Sequence, residues 1–319
     1  MTSSAAVPPS IPPTSKDNAE RQFFAKGKDG TRLYVRTKDH PASDGRGGRK
    51  APRAVFCDGI LCDGFIWKYQ WNDLAPHMSL SHWNYRGHGR SGSPVDANAL
   101  DIVTHAHDLA AVVNEVDGGP VVVVGHSMGV QVALEFYRHY PEKVSALILE
   151  CGSFGRVTST FHGLPILELI LPKLLDAALK APDMVRAIWS RIPAETALKV
   201  AMMAKEIDPS RINPEDMLPY LRHMTHVDFP MFLRMLKAAG DHTASDMLSQ
   251  VKVPTLVIAG ERDTFTPAFL AESMSQAIAG SDLLIVTPGS HVAPIEQPEL
   301  VRDTIVNFLN KHHLTLAAI

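Results

Sequence analysis

The stretch VVVVGHSMGVQVAL, residues 121–134, holds the residue types that can make a serine reactive. Gly125-His126-Ser127-Met128-Gly129 fits G-x-S-x-G, with a β-branched run directly before it and an amphipathic stretch directly after it. A sharp strand-to-helix turn strains the backbone and exposes the serine hydroxyl. Glycine on either side removes Cβ atoms that would collide where helix crosses strand. The helix start also offers free N–H groups to a developing anion. Serine is a weak nucleophile without a base, and the base needs an acid to orient it. After such a turn the expected order is acid, then histidine. Asp263 closes LVIAGERD and His291 closes LLIVTPGSH, each just past an apolar run that reads as a strand. Ligand sites in open parallel sheets form outside the carboxyl ends of strands. Alone, Asp263 reads as a turn residue and His291 as one histidine among 15. Their joint order and placement point to a triad of Ser127, His291 and Asp263. Glu150, at the end of SALILE, is the second choice of acid.

The elements that must carry these residues alternate. QFFAKGKDGTRLYVRTK reads as a hairpin turning at Asp29-Gly30, and RAVFCDG as a short strand. FIWKYQWNDLAPH is helix-like, LSHWNYRG a strand, and ALDIVTHAHDLAAVVNEV an amphipathic helix. PVVVVG has the continuous apolar character of a strand covered on both faces. A helix to about Pro141 and the strand SALILECG follow. From about 154 to 240 the chain reads as helical and rich in Met, Leu and Pro. Alternation resumes with PTLVIAGERD, PAFLAESMSQAIAG, DLLIVTPGSH and PELVRDTIVNFLNKHH. Such alternation predicts an α/β fold with a doubly wound, mainly parallel sheet. The expected organisation is a flexible Pro/Ser-rich tail over 1–20, a core over 21–153 and 241–319, and an inserted helical cap over 154–240.

Composition narrows the function classes. Of 319 residues, 31 are basic and 34 acidic, a net charge of −3 that gives nucleic acid no basic surface. Three cysteines, an odd and small number, argue against a disulfide framework and for a reducing compartment, hence an expected cytoplasmic location. The start lacks a basic region and an apolar core, so it does not read as a signal peptide. No apolar run reaches the ~20 residues that span a bilayer. The nearest, LPILELILPKLLDAALK, contains Pro172, Glu168 and two lysines. GHGRSG, residues 87–92, fits G-x-G-x-x-G, but Pro94 follows where a dinucleotide site needs a helix. His105, His107 and Asp108 invite a metal reading, yet residues two apart on a helix face apart, and a solvated helix face is expected. His126 is expected to pack away from Ser127 with its side chain satisfied locally.

The stretches GHSMG, NYRGHGRSG, GERDTFTP and GSHVAPIEQPE resemble the α/β-hydrolase superfamily, over about residues 21–313. The resemblance implies the α/β-hydrolase fold and a cap that roofs the pocket with side chains such as Met202, Met203, Met224 and Phe232. It implies no cofactor and no metal, and a small-molecule ester as partner. The reaction expected is cleavage of a small or medium, largely apolar carboxylic ester. A C–C hydrolase, lactonase or perhydrolase with the same triad stays open, as does a non-catalytic binding protein on this fold. In the family, the strand that corresponds to RAVFCDG ends in a His-Gly pair leading into the oxyanion loop. Here Asp58-Gly59 stands in that place, so the resemblance makes Ile60 and Met128 the backbone donors of the oxyanion hole. The echo Cys57-Asp58-Gly59 and Cys62-Asp63-Gly64 is then a backbone device rather than a metal site. A carboxylate aimed at the oxyanion would oppose catalysis, so Asp58 is expected to turn from Ser127 and accept hydrogen bonds within its loop.

Overall fold

The computed structural model describes residues 20–42, 51–161, 164–203, 207–208 and 210–315, without the side chains of residues 200, 201 and 203. The expected tail lies, but for its last residue, outside the described residues. The opening hairpin pairs β1 (Arg21–Lys26) antiparallel with β2 (Arg32–Lys38), turning at a left-handed Gly30 with φ 88°. The chain then crosses between β3 (Arg53–Cys57), β4 (Ser79–Trp83), β5 (Val121–His126), β6 (Val144–Glu150), β7 (Thr255–Gly260) and β8 (Asp282–Val286). The eight strands form one sheet in the order β1-β2-β4-β3-β5-β6-β7-β8, parallel from β4 to β8.

β5 sits between β3 and β6, and all six of its residues are buried. Its side chains alternate by face, as a strand requires. Val121 and Val123 join one apolar cluster, and Val122 and Val124 join the other. Helices α2 (Ile102–Val116), α3 (Met128–His139) and α10 (Ala268–Ala277) supply the first cluster, through residues such as Leu109, Phe136 and Met274. The short α1 (Gln70–Asp73) and the helix Pro298–Lys311 supply the second, through Trp71, Ile305 and Phe308. Each such side chain, fully buried, contributes roughly 1.5–3 kcal/mol, so the sheet's carboxyl edge is held by packing on both faces.

Between the adjacent strands β6 and β7 the chain makes its helical excursion. It comprises α4 (Val157–Thr160), α5 (Ile166–Lys180), α6 (Pro182–Trp189), α7 (Ala194–Met203), α8 (Pro214–Met224) and α9 (Phe229–Asp241). An antiparallel bridge between Gly155 and Thr243 closes its neck. Asn213 and Asp228 start α8 and α9 by accepting hydrogen bonds from the N–H groups of Glu215 and Met231. α5 keeps Pro172 inside it and leaves Leu169 69% exposed. Among the described residues no helix is long and apolar enough to cross a membrane.

Two local expectations need correction. Residues 65–77 form a single 3-10 turn (Phe65–Trp67) and the one-turn α1, not a continuous helix. Trp67 and Trp71 are both fully buried against the sheet, and that packing overrides helical continuity. The face carrying His105 and Asp108 is not solvated. His105 is 0% exposed against Tyr85, and Asp108 is paired with Arg86 at 2.7 Å. Only His107 lies toward the surface, bonded to the Tyr140 hydroxyl at 2.8 Å.

Candidate active site

The turn from β5 into α3 begins with two glycines that no other residue could replace. A Cβ on Gly125 would lie 2.4 Å from the Gly129 carbonyl oxygen, and one on Gly129 would lie 2.1 Å from the Cys57 carbonyl oxygen. Both obstacles are backbone, so neither can move aside. This close crossing leaves Ser127 at φ 56° and ψ −119°, strained for a side-chain-bearing residue. The Ser127 N–H donates to the Glu150 carbonyl at 3.0 Å, and its carbonyl accepts from the Val130 N–H at 3.0 Å. Its hydroxyl therefore stands at the sheet's edge at a fixed angle.

β7 and β8 end beside it. His291 Nε2 lies 3.0 Å from Ser127 Oγ, and His291 Nδ1 lies 2.8 Å from Asp263 Oδ2. The Asp263 carboxylate is fully buried and accepts three further hydrogen bonds: from the Phe265 N–H (2.9 Å), the Thr266 N–H (2.8 Å) and the Thr266 hydroxyl (2.9 Å). Facing Nδ1 in this way, the carboxylate accepts the Nδ1 proton in a hydrogen bond and fixes the ring's orientation. That tautomer leaves Nε2 free to accept the serine proton. Glu296 holds the histidine loop from behind, accepting from the Ser290 N–H at 2.6 Å and the Ser290 hydroxyl at 2.7 Å. Neither Thr266 nor Glu296 was singled out in the sequence. For Thr266 the signal was present, since D-x-x-T is ordinary turn chemistry. Glu150, the alternative acid, points elsewhere. Gln70 Nε2 donates to both of its oxygens, at 3.0 and 2.8 Å, and burial pushes its carboxyl up to about 8.

The loop after β3 is pinned from below. Asp58 is fully buried, with Oδ1 accepting from the Trp67 indole N–H at 2.6 Å and Oδ2 bonded to His82 Nε2 at 2.8 Å. It is turned from the cavity, but its partners are an indole beyond the loop and a β4 imidazole rather than the loop itself. The Tyr85 hydroxyl donates to the Asp58 carbonyl at 2.8 Å, and the Leu61 N–H donates to His88 Nε2 at 3.3 Å. Burial holds His88 neutral, its pKa lowered to about 4, which keeps that nitrogen an acceptor. GHGRSG is thus a loop whose histidine supports the segment carrying Ile60. Among the described residues, the N–H groups of Ile60 and Met128 donate to no acceptor. The three cysteines are buried thiols, and burial pushes Cys57 up to about 12.

His126 departs from expectation. Its Nε2 lies 2.9 Å from the His291 carbonyl oxygen, 165 residues along the chain, and so donates to it. Burial first, and the nearby His291 second, lower its pKa to about 3, so it is neutral. Its Nδ1 has no hydrogen-bond partner among the described residues. His126 therefore braces the backbone of His291 rather than bonding locally.

A cavity of about 510 Å³ opens over Ser127, with Gly59, Ile60, His126 and His291 at its floor. Apolar groups from α6, α7, α8 and the adjoining turns line it, among them Trp189, Met217, Leu221 and Met224. Phe265 lines it from the core, its ring 4.9 Å from that of His291. Of the four side chains expected to roof a pocket, Met224 does so. Met202 lines a neighbouring cavity, and Phe232 instead stacks on Trp189 at 6.1 Å. The Met203 side chain lies outside the described residues. Among the described residues no group of three or more His, Cys, Asp or Glu is placed to hold a metal ion.

The chain resembles known proteins along most of its length. A Bacillus subtilis AB hydrolase superfamily protein, YisY, is 24% identical over 282 residues, 87% of this chain and 98% of its own. The solved enol-lactonase of Burkholderia xenovorans superposes with TM-score 0.70 and 22% identity, over 90% of this chain and 100% of its own. An Exiguobacterium antarcticum esterase superposes with TM-score 0.69 and 22% identity, over 91% of this chain and 100% of its own. The model of the alpha/beta hydrolase family matches residues 55–304, and the chain belongs to that family.

Proposed function

We propose that the chain is a serine hydrolase that cleaves a small or medium, largely apolar carboxylic ester through an acyl-enzyme. The observation that carries this reading is the unbroken hydrogen-bond line Asp263–His291–Ser127, 2.8 and 3.0 Å, at the floor of an apolar cavity. Ser127 Oγ attacks the ester carbonyl carbon while its proton passes to His291 Nε2. Asp263 stabilises the imidazolium that forms and keeps its orientation. The carbonyl oxygen, now anionic, receives the free N–H groups of Ile60 and Met128. Each such donor is worth roughly 3–4 kcal/mol in comparable sites. The intermediate collapses, and the leaving alcohol takes the proton from His291. Water then attacks the acyl-enzyme, giving its proton to His291, which returns it to Ser127 as the acid departs. The inserted helices act as a cap, and their apolar side chains favour uncharged acyl groups.

A panel of p-nitrophenyl esters from acetate to decanoate, with aliphatic lactones beside it, tests the reading. Ser127-dependent turnover of the shorter esters is expected, and Ser127→Ala should lower kcat/KM at least ~10³-fold while the protein stays folded. Turnover unchanged by Ser127→Ala would remove Ser127 as nucleophile. No turnover across the panel is the result expected of a binding protein.

A further inference from the structure

One face of α8 grips the core segment that follows the oxyanion loop. Asp216, Tyr220 and His223 are spaced four and three residues apart, so they share a side of the helix. Asp216 Oδ1 accepts from Lys68 Nζ, and its Oδ2 accepts from the Tyr69 hydroxyl at 2.8 Å. The Tyr220 ring stacks on Phe65, centroids 4.3 Å apart and planes 22° apart. His223 Nδ1 lies 3.9 Å from Asp63 Oδ2. All the partners fall within residues 63–69. The Asp216 carboxylate is 2% exposed, and both of its oxygens are bonded to side chains of this segment. A buried carboxylate held in this way fixes its partners in place, because losing them would leave it unpaired.

That grip continues to the oxyanion loop. Trp67, next to Lys68, donates its indole N–H to Asp58, and Asp58 precedes Gly59 and Ile60. The path from an inserted helix to an oxyanion donor is therefore Asp216, Lys68 and Tyr69, Trp67, Asp58, Ile60. Tyr220 also lines the cavity over Ser127, so a substrate that fills the cavity touches the helix that holds the loop.

We propose that Asp216 is a positioning residue for the oxyanion hole: it ties α8 to Lys68 and Tyr69 and thereby holds residues 58–69 so that the Ile60 N–H faces the reacting carbonyl. Its kinetic consequence rests on the ester-hydrolase reading above. Binding energy from a remote apolar group is then spent on orienting a transition-state donor, which raises kcat rather than lowering KM.

The test uses the full chain with Asp216→Ala, and separately Lys68→Met with Tyr69→Phe. Hydrogen exchange is followed on peptides covering 58–69 and, as an internal control, 285–297. Faster exchange in 58–69 alone is expected in both variants. For a p-nitrophenyl ester, kcat should fall about 10–100-fold with KM within about twofold. The triple variant should lose no more than either parent. Affinity for an alkyl boronic acid, which mimics the oxyanion, should fall by the same factor as kcat. Exchange over 58–69 equal to wild type in the folded variant overturns the proposal, as does faster exchange with kcat unchanged. Should Asp216→Ala fail to fold, Asp216→Asn, which keeps the side-chain volume, carries both readouts. Absence of Ser127-dependent turnover in the wild type counts against the hydrolase reading, while the exchange experiment still decides the anchoring.

Discussion

The sheet's carboxyl edge and the helices inserted over it are built on different terms. At the edge, backbone meets backbone: Gly129 passes where a Cβ would lie 2.1 Å from the Cys57 carbonyl. His291 and Asp263 are each bonded at two side-chain atoms, and strands β3, β5 and β7 are fully buried. In the inserted helices, side chain meets side chain. Gly240 of α9 packs on Thr158, and Ile166, Leu169, Leu174 and Ile188 remain exposed. On the proposed ester-hydrolase reading, the reaction type depends chiefly on the edge and the range of substrates on the apolar side chains that the helices bring to the cavity.

Paired alanine substitutions probe this contrast most strongly. Gly129→Ala should cost more than ~3 kcal/mol or prevent folding, because two backbones must separate. Gly240→Ala also displaces a side chain, Thr158, but gains helix propensity of about 1 kcal/mol, so its net cost should be far smaller. Urea unfolding of both variants measures the difference, and equal costs would break the comparison. Next in size is Asp58→Ala, which leaves the Trp67 indole N–H and His82 without their buried partner. An unpaired buried donor costs about 1–3 kcal/mol, so a loss of a few kcal/mol is expected, together with a fall in kcat as the loop loosens. Denaturant melts and ester kinetics on one preparation check both.

Glu150 sharpens the picture from within the core. In the folded chain it keeps its proton up to about pH 8, whereas its ordinary value is 4.5. Between those values unfolding releases a proton, so this group's contribution falls as pH rises, by roughly 1.4 kcal/mol per pH unit at most. Glu150→Gln removes the titration. The variant should therefore gain on the wild type steadily from pH 5 to pH 8 in thermal melts. A constant difference across that range would show that Glu150 is not held protonated. The smallest effect expected is that of Met224→Ala in the cavity. It should change preference among ester chain lengths by about 10-fold or less, equivalent to at most 1–2 kcal/mol, and leave the melting temperature nearly unchanged. A similar loss for every ester would mean that this side chain supports the edge rather than selecting substrate.

The edge was legible in the sequence because its constraints are local. A β-branched run, two glycines and a serine can be read within ten residues, and Asp263 and His291 each follow an apolar run. Asp58 was legible as a departure from the family, and its electrostatics foretold that it turns from the cavity. Its partners were not, because His82 reaches it only through the pairing of β3 with β4. His126 bonding to the His291 carbonyl and Glu296 gripping Ser290 depend likewise on how separate loops pack. The segment 65–77 reads as helix-like, yet two buried tryptophans break it into short turns. In the insertion the apolar residues could be found but not sorted. Met224 and Phe232 look alike in the sequence, and only packing sends one to the cavity and the other against Trp189.

Above all, the proposed function requires that Ser127 be a nucleophile made reactive by His291. Fluorophosphonate labelling of the folded protein, read by intact mass and peptide mapping, tests it most directly. One adduct per chain on Ser127 is expected, with none in Ser127→Ala and labelling slowed by ~10³-fold or more in His291→Ala. Folded wild-type protein that takes up no label, or a folded His291→Ala variant that takes it up at the wild-type rate, would rule this role out.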